Sequence, residues 1–389
     1  MSFLAAAAAV ASCAGPATPP SFEPVSIDTP ASGAMTSPRL ANGPDGQILL
    51  SWLQTDAAAA ALRYSRYADG RWDKPTKVAE SEDMFVNWAD LPSVVPLADG
   101  RLAAHWMLLS GAHSHAYDIA FSESLDNGDT WSTPTTPHTD GTDTEHGFVS
   151  IYSYNDEIGL LWLDGRKMVN EVTDDPVASG MTLRSSEQLV DELVCDCCQT
   201  DVAIASSGPV AVYRDRSIDE IRDIYVTRLI DGQWQNGVAV ANDNWEIWGC
   251  PVNGPSIAAD GDRIAVTWFT AAEEPIVKLA ISSDSGATFS SPIEIVRNET
   301  LGRAAIAILD NDAVAVSWLE STAAGSSEVK VKRVNADGSA GPVRVVSSAA
   351  SAFSVPQMLR HDSELIFAWT ESEDDESTIK SARVQIDAL

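Results

Sequence analysis

Apolar residues in this chain come in short bursts, and seven of the bursts end in an aromatic. The segments 48–52, 102–106, 158–162, 210–213, 264–268, 313–318 and 365–369 close on Trp52, Trp106, Trp162, Tyr213, Trp268, Trp318 and Trp369. These aromatics recur every 50 to 56 residues, a spacing expected of four-stranded propeller blades. A short apolar strand precedes the aromatic in most units, at 92–97, 148–153, 202–205, 255–258 and 304–309. Turn pairs such as Asp99-Gly100, Asp260-Gly261 and Asp310-Asn311 join the two, a hairpin signal. Third strands follow at 61–67, 117–122 and 277–282, and fourth strands at 72–78 and 289–296. No stretch sustains a helical period. The pattern predicts an all-β fold, a seven-bladed β-propeller of four-stranded antiparallel blades. The blades fall roughly at 33–80, 81–139, 140–196, 197–244, 245–298, 299–348, and 349–389 joined by 21–31.

The last unit supplies only three strands. Phe22-Glu23-Pro24-Val25-Ser26-Ile27 matches the cadence of the fourth strand Phe289-Ser290-Ser291-Pro292-Ile293-Glu294-Ile295. The N-terminal strand is therefore expected to complete the last blade and close the ring, because an open seam leaves unpaired strand edges.

Composition narrows the partners. The 389 residues carry 56 acidic against 25 basic side chains, a formal charge of -31. Such a surface repels nucleic acid and acidic lipid headgroups, and both are set aside. The charge is spread along the chain, as in a folded acidic protein rather than one with a disordered tail; adaptation to a saline habitat accounts for it equally well.

Residues 1–14 are apolar and alanine-rich, and they contain Val10-Ala11-Ser12-Cys13. This resembles a bacterial lipobox, in which the cysteine is lipidated and becomes the first residue. The apolar run is too short to span a bilayer and suits a signal peptide, although no Lys or Arg precedes it. The expected organisation is a lipoprotein signal peptide over 1–13 with Cys13 lipidated, a tether and closing strand over 14–32, and the propeller over 33–389. Cleaved soluble export is the alternative. The localisation this implies is the periplasm or cell surface, with membrane contact only through the lipid and a monomeric state.

Propeller geometry sorts candidate chemistry by face. Loops entering the inner strands and loops leaving the second strands gather on one side of the central channel. The first set contributes Arg39, Asp90, Glu145, His146, 195–201, 250–253, Arg303 and Gln357. The second contributes Asp164, Arg166, Arg214, Asp215, Arg216, Glu273, Glu274 and Glu371. An acidic molecule thus concentrates Arg39, Arg166, Arg214, Arg216 and Arg303 on one face. Guanidinium forks suit carboxylate, sulfate or phosphate, which points to an anionic small molecule or glycan; pairing with Asp90, Asp164, Asp201 and Asp215 to brace the channel is the plainer reading. Tyr213, where the other six units have Trp, is a candidate nucleophile if Glu145 takes its proton; otherwise it is a packed core aromatic. Asp90, Glu145, His146 and Asp215 are the acid–base candidates. His146 reads also as a metal ligand or as a hydrogen-bonded brace.

Three of the five cysteines lie in Cys195-Asp196-Cys197-Cys198, and Cys250 follows about one blade later. In an oxidising compartment a disulfide from one of Cys195, Cys197 or Cys198 to Cys250 would clamp two blades. Closing a loop of roughly 50 residues would contribute about 4 kcal/mol. A soft-metal site for Cu(I) or zinc is the second reading, the sole cofactor in view. A redox-active vicinal pair is the third.

Ser124-Leu125-Asp126-Asn127-Gly128-Asp129-Thr130-Trp131 matches the Asp-box, Ser-x-Asp-x-Gly-x-Thr-Trp, and 282–289 matches it with Phe289 for Trp. The chain resembles the sialidase superfamily of Asp-box propellers over nearly its whole length. More narrowly, Cys195-Asp196-Cys197-Cys198-Gln199, Tyr213-Arg214-Asp215-Arg216-Ser217 and 249–255 are similar to bacterial proteins labelled sialidase-like. The resemblance implies an arginine triad for a substrate carboxylate, a Tyr–Glu nucleophile pair and an Asp acid/base. Arg39, following a proline, and Arg303 are the positions similar to family arginines. Two departures stand out. The family's enzymes have six blades, and their late tyrosine has no counterpart here, since the last tyrosine is Tyr225. Three functions follow: binding of an anionic glycan, with or without its hydrolysis; a non-catalytic binding or assembly propeller; or a copper- or redox-linked accessory protein.

Overall fold

A computed structural model describes residues 21–30, 33–111, 115–169, 175–323, 326–373 and 376–389. Cys13 and the leader lie outside the described residues. The strands form seven separate antiparallel sheets, each ordered from an inner strand outward. The inner strands are Met35–Asn42, Ser93–Pro96, His146–Tyr154, Asp201–Ala205, Ser256–Asp260, Thr300–Ile308 and Gln357–His361. They surround a central channel of about 860 Å³. The seven-bladed propeller read from the sequence is the fold.

The ring closes as expected. Val25–Ile27 pairs antiparallel with Ser381, Ala382 and Arg383 of the last strand. The Ser381 hydroxyl donates to Ile27 O and accepts from Trp72 Nε1 of the first blade, so one side chain ties the closing strand to the next blade.

The second blade departs from the four-stranded pattern. Its sheet has three strands, and its outer position holds a single bridge between Phe121 and Thr135. Pro134 and Pro137 flank that bridge and have no N–H for a ladder. The freed segment runs on to His138, over the channel face.

The periodic aromatics are the packing units between blades. Trp52, Trp162, Tyr213, Trp268 and Trp318 are fully buried. Trp162, Trp318 and Trp369 each donate Nε1 to an acid two residues on: Asp164, Glu320 and Glu371, at 2.9 Å. These acids satisfy a buried indole donor, which a buried polar group requires. On the opposite end of the blades the Asp-boxes form turns. Asp126 accepts from Thr130 N and the Ser124 hydroxyl, both at 2.8 Å, and Asp284 repeats this with Thr288 N and Ser282. Gly128 sits there at φ +88, where a Cβ would meet the Tyr64 hydroxyl at 1.9 Å.

Candidate functional site: the channel face

The inner strands reach this face through bulges. Ser37, Phe148 and Arg303 have φ of 57, 53 and 50, and strand register shifts beside each. Val252, a β-branched residue, has φ 48. Left-handed backbone at such residues costs free energy, and bulges re-aim side chains at the end of a strand. Here they set Arg39, Asn253 and Arg303 around the channel mouth.

The five arginines share the face but not the same surroundings. Arg214 is buried and donates to backbone carbonyls of Asn253 (3.1 and 2.8 Å), Phe269 (2.7 Å) and Arg222 (2.6 Å), with its guanidinium over Trp245. It is a strut between the fourth and fifth blades, where a ligand contact was expected, because its donors are taken up by backbone carbonyls of both. Arg166 makes a fork on Asp164 at 2.7 and 2.8 Å and reaches Glu187 at 3.1 Å. Arg216 is held by Glu220 at 2.6 Å and Asp196 at 3.2 Å. Arg39 has a looser partner, Asp201 at 3.7 Å.

Arg303 differs from the other four. Among the described residues no carboxylate lies within ion-pair distance of its guanidinium. It sits 4.7 Å over the Trp88 ring and donates to Ala352 O, and burial alone lowers its pKa to about 10. Trp88 meets Phe353 edge-on at 5.6 Å, and Phe353 is 65% exposed. Trp248, on the loop entering the fifth inner strand, is 79% exposed.

Glu145 has a tyrosine partner, but it is Tyr117 rather than Tyr213. The Tyr117 hydroxyl donates to Glu145 Oε1 at 2.6 Å and lies 3.3 Å from Asp90 Oδ2. Asp90 also accepts from Phe148 N at 2.9 Å. Burial, with Glu145 nearby, raises the Asp90 carboxyl to about 7; burial also raises Glu145 and Tyr117. Gly147 admits the cluster, since a Cβ there would lie 2.0 Å from Asp90 Oδ2. Tyr117 opens a third strand, Tyr117–Ser124, at its channel-face end. That position was the available signal, and it was missed because only tyrosines replacing the periodic Trp were considered. Tyr213 is buried and donates to Asp191 at 2.6 Å, so its hydroxyl is spent within the core. Asp215 is raised to about 7 by burial, with Asp191 and Asp223 adding to it.

His146 is buried, its ring stacked 3.8 Å from that of His138 at an interplanar angle of 5°. Asp118, Asp140 and Asp164 surround the pair. His138 and Asp118 had not been singled out.

The four cysteines gather across the fourth and fifth blades, but the expected disulfide to Cys250 is not formed. All four are free thiols. Cys195 and Cys198 sulfurs are 3.3 Å apart, Cys197 lies within 4.8 Å of both, and Cys250 contacts Cys197. Arg222 donates to Cys195 Sγ and Asn253 N to Cys198 Sγ, each at 3.4 Å. Hydrogen bonding from its neighbouring thiols, with Arg214 and Arg222 beside it, holds the Cys195 thiol well below its usual range. Arg222 is a further residue the sequence reading passed over.

Fold and face together define a seven-bladed β-propeller that carries arginines, buried acids and thiols at one end, with Arg39 and Arg303 lining the channel. No family model matches the sequence, and no curated protein does. Among solved structures it is similar to the BP39L lectin of Burkholderia pseudomallei (TM-score 0.59, 11% identity, 90% of this chain and 97% of that one). It is also similar to a protein of unknown function from Dyadobacter fermentans (TM-score 0.53, 14% identity, 94% and 98%). A structure of the NanB sialidase of Streptococcus pneumoniae aligns with TM-score 0.47 at 11% identity, over 94% and 95%. At these identities the likeness is one of fold.

Proposed function

We propose that this chain is an exported, lipid-anchored carbohydrate-binding propeller of the sialidase-like kind, which takes an anionic glycan at the channel mouth. The observation that carries the reading is Arg303, which has no carboxylate partner among the described residues and, unlike Arg214, is not enclosed by backbone carbonyls. A partly desolvated guanidinium of this sort binds a carboxylate or sulfate more strongly than one already paired. Trp88 and Phe353 supply aromatic surface for a sugar ring beside it, and Arg39 supplies a second cation. Anchoring at Cys13 rests on the leader sequence alone.

Binding fits better than hydrolysis. Tyr117 is 1% exposed and stacked on Phe85 at 4.0 Å, so its hydroxyl has no path to a bound sugar. Glu145 is the more accessible member of that network and is the residue that would act as acid if bond cleavage occurred.

An acidic-glycan panel of sialylated, uronic-acid and sulfated oligosaccharides tests the reading. Arg303→Ala is expected to weaken binding by at least about 10-fold with the fold intact. Arg214→Met is expected to destabilise the chain by about 3–5 kcal/mol instead, since it orphans buried carbonyls. Equal binding by Arg303→Ala and the native chain rejects the ligand site. Sugar release that disappears in Glu145→Gln would turn the assignment to a hydrolase.

A second reading concerns the thiols. Three sulfurs within 4.8 Å, two of them buried, with donors from Arg222 and Asn253 N, suit a thiolate site for Cu(I) or zinc. The charge-transfer absorption of cobalt bound by the reduced chain, abolished in Cys197→Ser, would support it.

A further inference from the structure

The four thiols form a file that runs from solvent into the core. Cys250 is exposed, Cys197 is half-buried, and Cys195 and Cys198 are buried. Cys250 touches Cys197 at the outer end. The Cys197 sulfur lies within 4.8 Å of both inner sulfurs, and those two are 3.3 Å apart. A turn at Asp196 and Cys197 brings Cys195 and Cys198, three positions apart in the chain, side by side. The ends of such a turn have Cα atoms less than about 7 Å apart, a separation that a disulfide bridges when it lies between about 4.4 and 6.8 Å.

Packing accounts for a buried cysteine, which behaves as a small apolar residue. It does not account for four sulfurs in sequence with an exposed one at the end. Arg222 donates to Cys195 Sγ and Asn253 N to Cys198 Sγ, each at 3.4 Å; a guanidinium beside a thiol favours the thiolate, which is the attacking species. The outer end is accessible. Trp248 is 79% exposed, and a Cβ on Gly249 would meet nothing within 4 Å. Val252, two residues past Cys250, holds φ 48, the kind of backbone strain that collects at functional loops. We propose that Cys195 and Cys198 form a dithiol–disulfide couple, and that Cys250 and Cys197 carry exchange between it and an external disulfide.

The exchange is a chain of displacements. The Cys250 thiolate attacks one sulfur of the external disulfide; that bond breaks, and the other sulfur leaves as a thiolate and takes a proton. Cys197 attacks Cys250 Sγ and releases the second external thiolate. Cys195 then attacks Cys197 Sγ and frees Cys250, and Cys198 attacks Cys195 Sγ and frees Cys197. The external disulfide gains two electrons and two protons. Cys195 and Cys198 lose them and end as a disulfide. The proposal is independent of the carbohydrate reading. It gives the sulfurs of the metal reading a different use, and a bound Cu(I) or zinc would block it, so metal is removed before the test.

The reduced chain, kept in chelator, is mixed with oxidised glutathione in one arm and with insulin, a protein disulfide, in the other. Thiols are alkylated at intervals and mapped by mass spectrometry. Cys195 and Cys198 are expected to lose alkylation together while Cys197 and Cys250 remain alkylated at the end point, in at least one arm. Cys250→Ser should slow this by at least about 10-fold and leave the same end point, because only the entry step is lost. Cys197→Ser should trap Cys250 as its mixed disulfide with glutathione. Melting of each reduced variant, matching the reduced native chain, shows that the fold is kept. Cys195 and Cys198 fully alkylated throughout both arms, oxidation ending on a different pair, or native rates in both variants overturns the proposal.

Discussion

At the scale of single residues, burial decides what each charged group on the channel face does. Arg214 and Arg303 are both arginines at strand ends on one face, yet one is enclosed by carbonyls and the other rests on an indole. Asp90 shows the same principle in its titration. Its carboxyl goes from an ordinary value of 3.8 to about 7 on folding, chiefly because burial disfavours the charge. The folded state therefore holds a proton that the unfolded chain has released between those values. Its contribution to stability is fully present below about pH 4 and is lost as the pH rises through 7. Asp90→Asn is expected to flatten the fall in unfolding free energy across that window, as followed by urea denaturation from pH 4 to 8; an unchanged slope would show that Asp90 ionises normally.

At the scale of elements, each blade is a hairpin-built sheet that cannot bury its faces alone, and the inter-blade aromatics hold neighbours together. The closing strand is only three residues long, and it relies on pairing with 381–383 and on Ser381. Deleting residues 21–30 should expose the edge of the last strand and the Trp72 indole. The expected result is a lower melting temperature with concentration-dependent association, seen together by calorimetry and light scattering; a monomer with native melting would mean that the ring closes without it. The second blade shows an element losing its regular form. Two prolines interrupt its outer strand, and the released chain delivers His138 and Asp140 to His146.

At the scale of the molecule, a charge of -31 surrounds a face that concentrates arginine. Self-repulsion of that size destabilises the compact state, and it is screened over about 10 Å at 0.1 M salt. Melting temperature should therefore rise as sodium chloride goes from about 10 mM to 0.5 M, where the Debye length shrinks from about 30 Å to below 10 Å. A flat or falling curve would mean that the ion pairs on the face, rather than the net charge, dominate the electrostatics.

The blade count, the closing strand, the Asp-box turns and the roster of channel-face loops were legible in the sequence, because each depends on a local period or a turn residue that repeats. The meeting of the cysteines was legible for the same reason, since loops in register around a ring must be neighbours. Pairing within the face was not. Glu145 takes Tyr117 rather than Tyr213, and His146 takes His138, because side chains from different blades are brought together by the angle between sheets and by the bulges at Phe148 and Arg303. No sequence period encodes those angles. The sequence by itself determined the scaffold and which loops share an end of it. Only the tertiary structure decided which charges are spent on the scaffold and which are left without a charged partner, because that depends on the partners each group finds once water has been excluded.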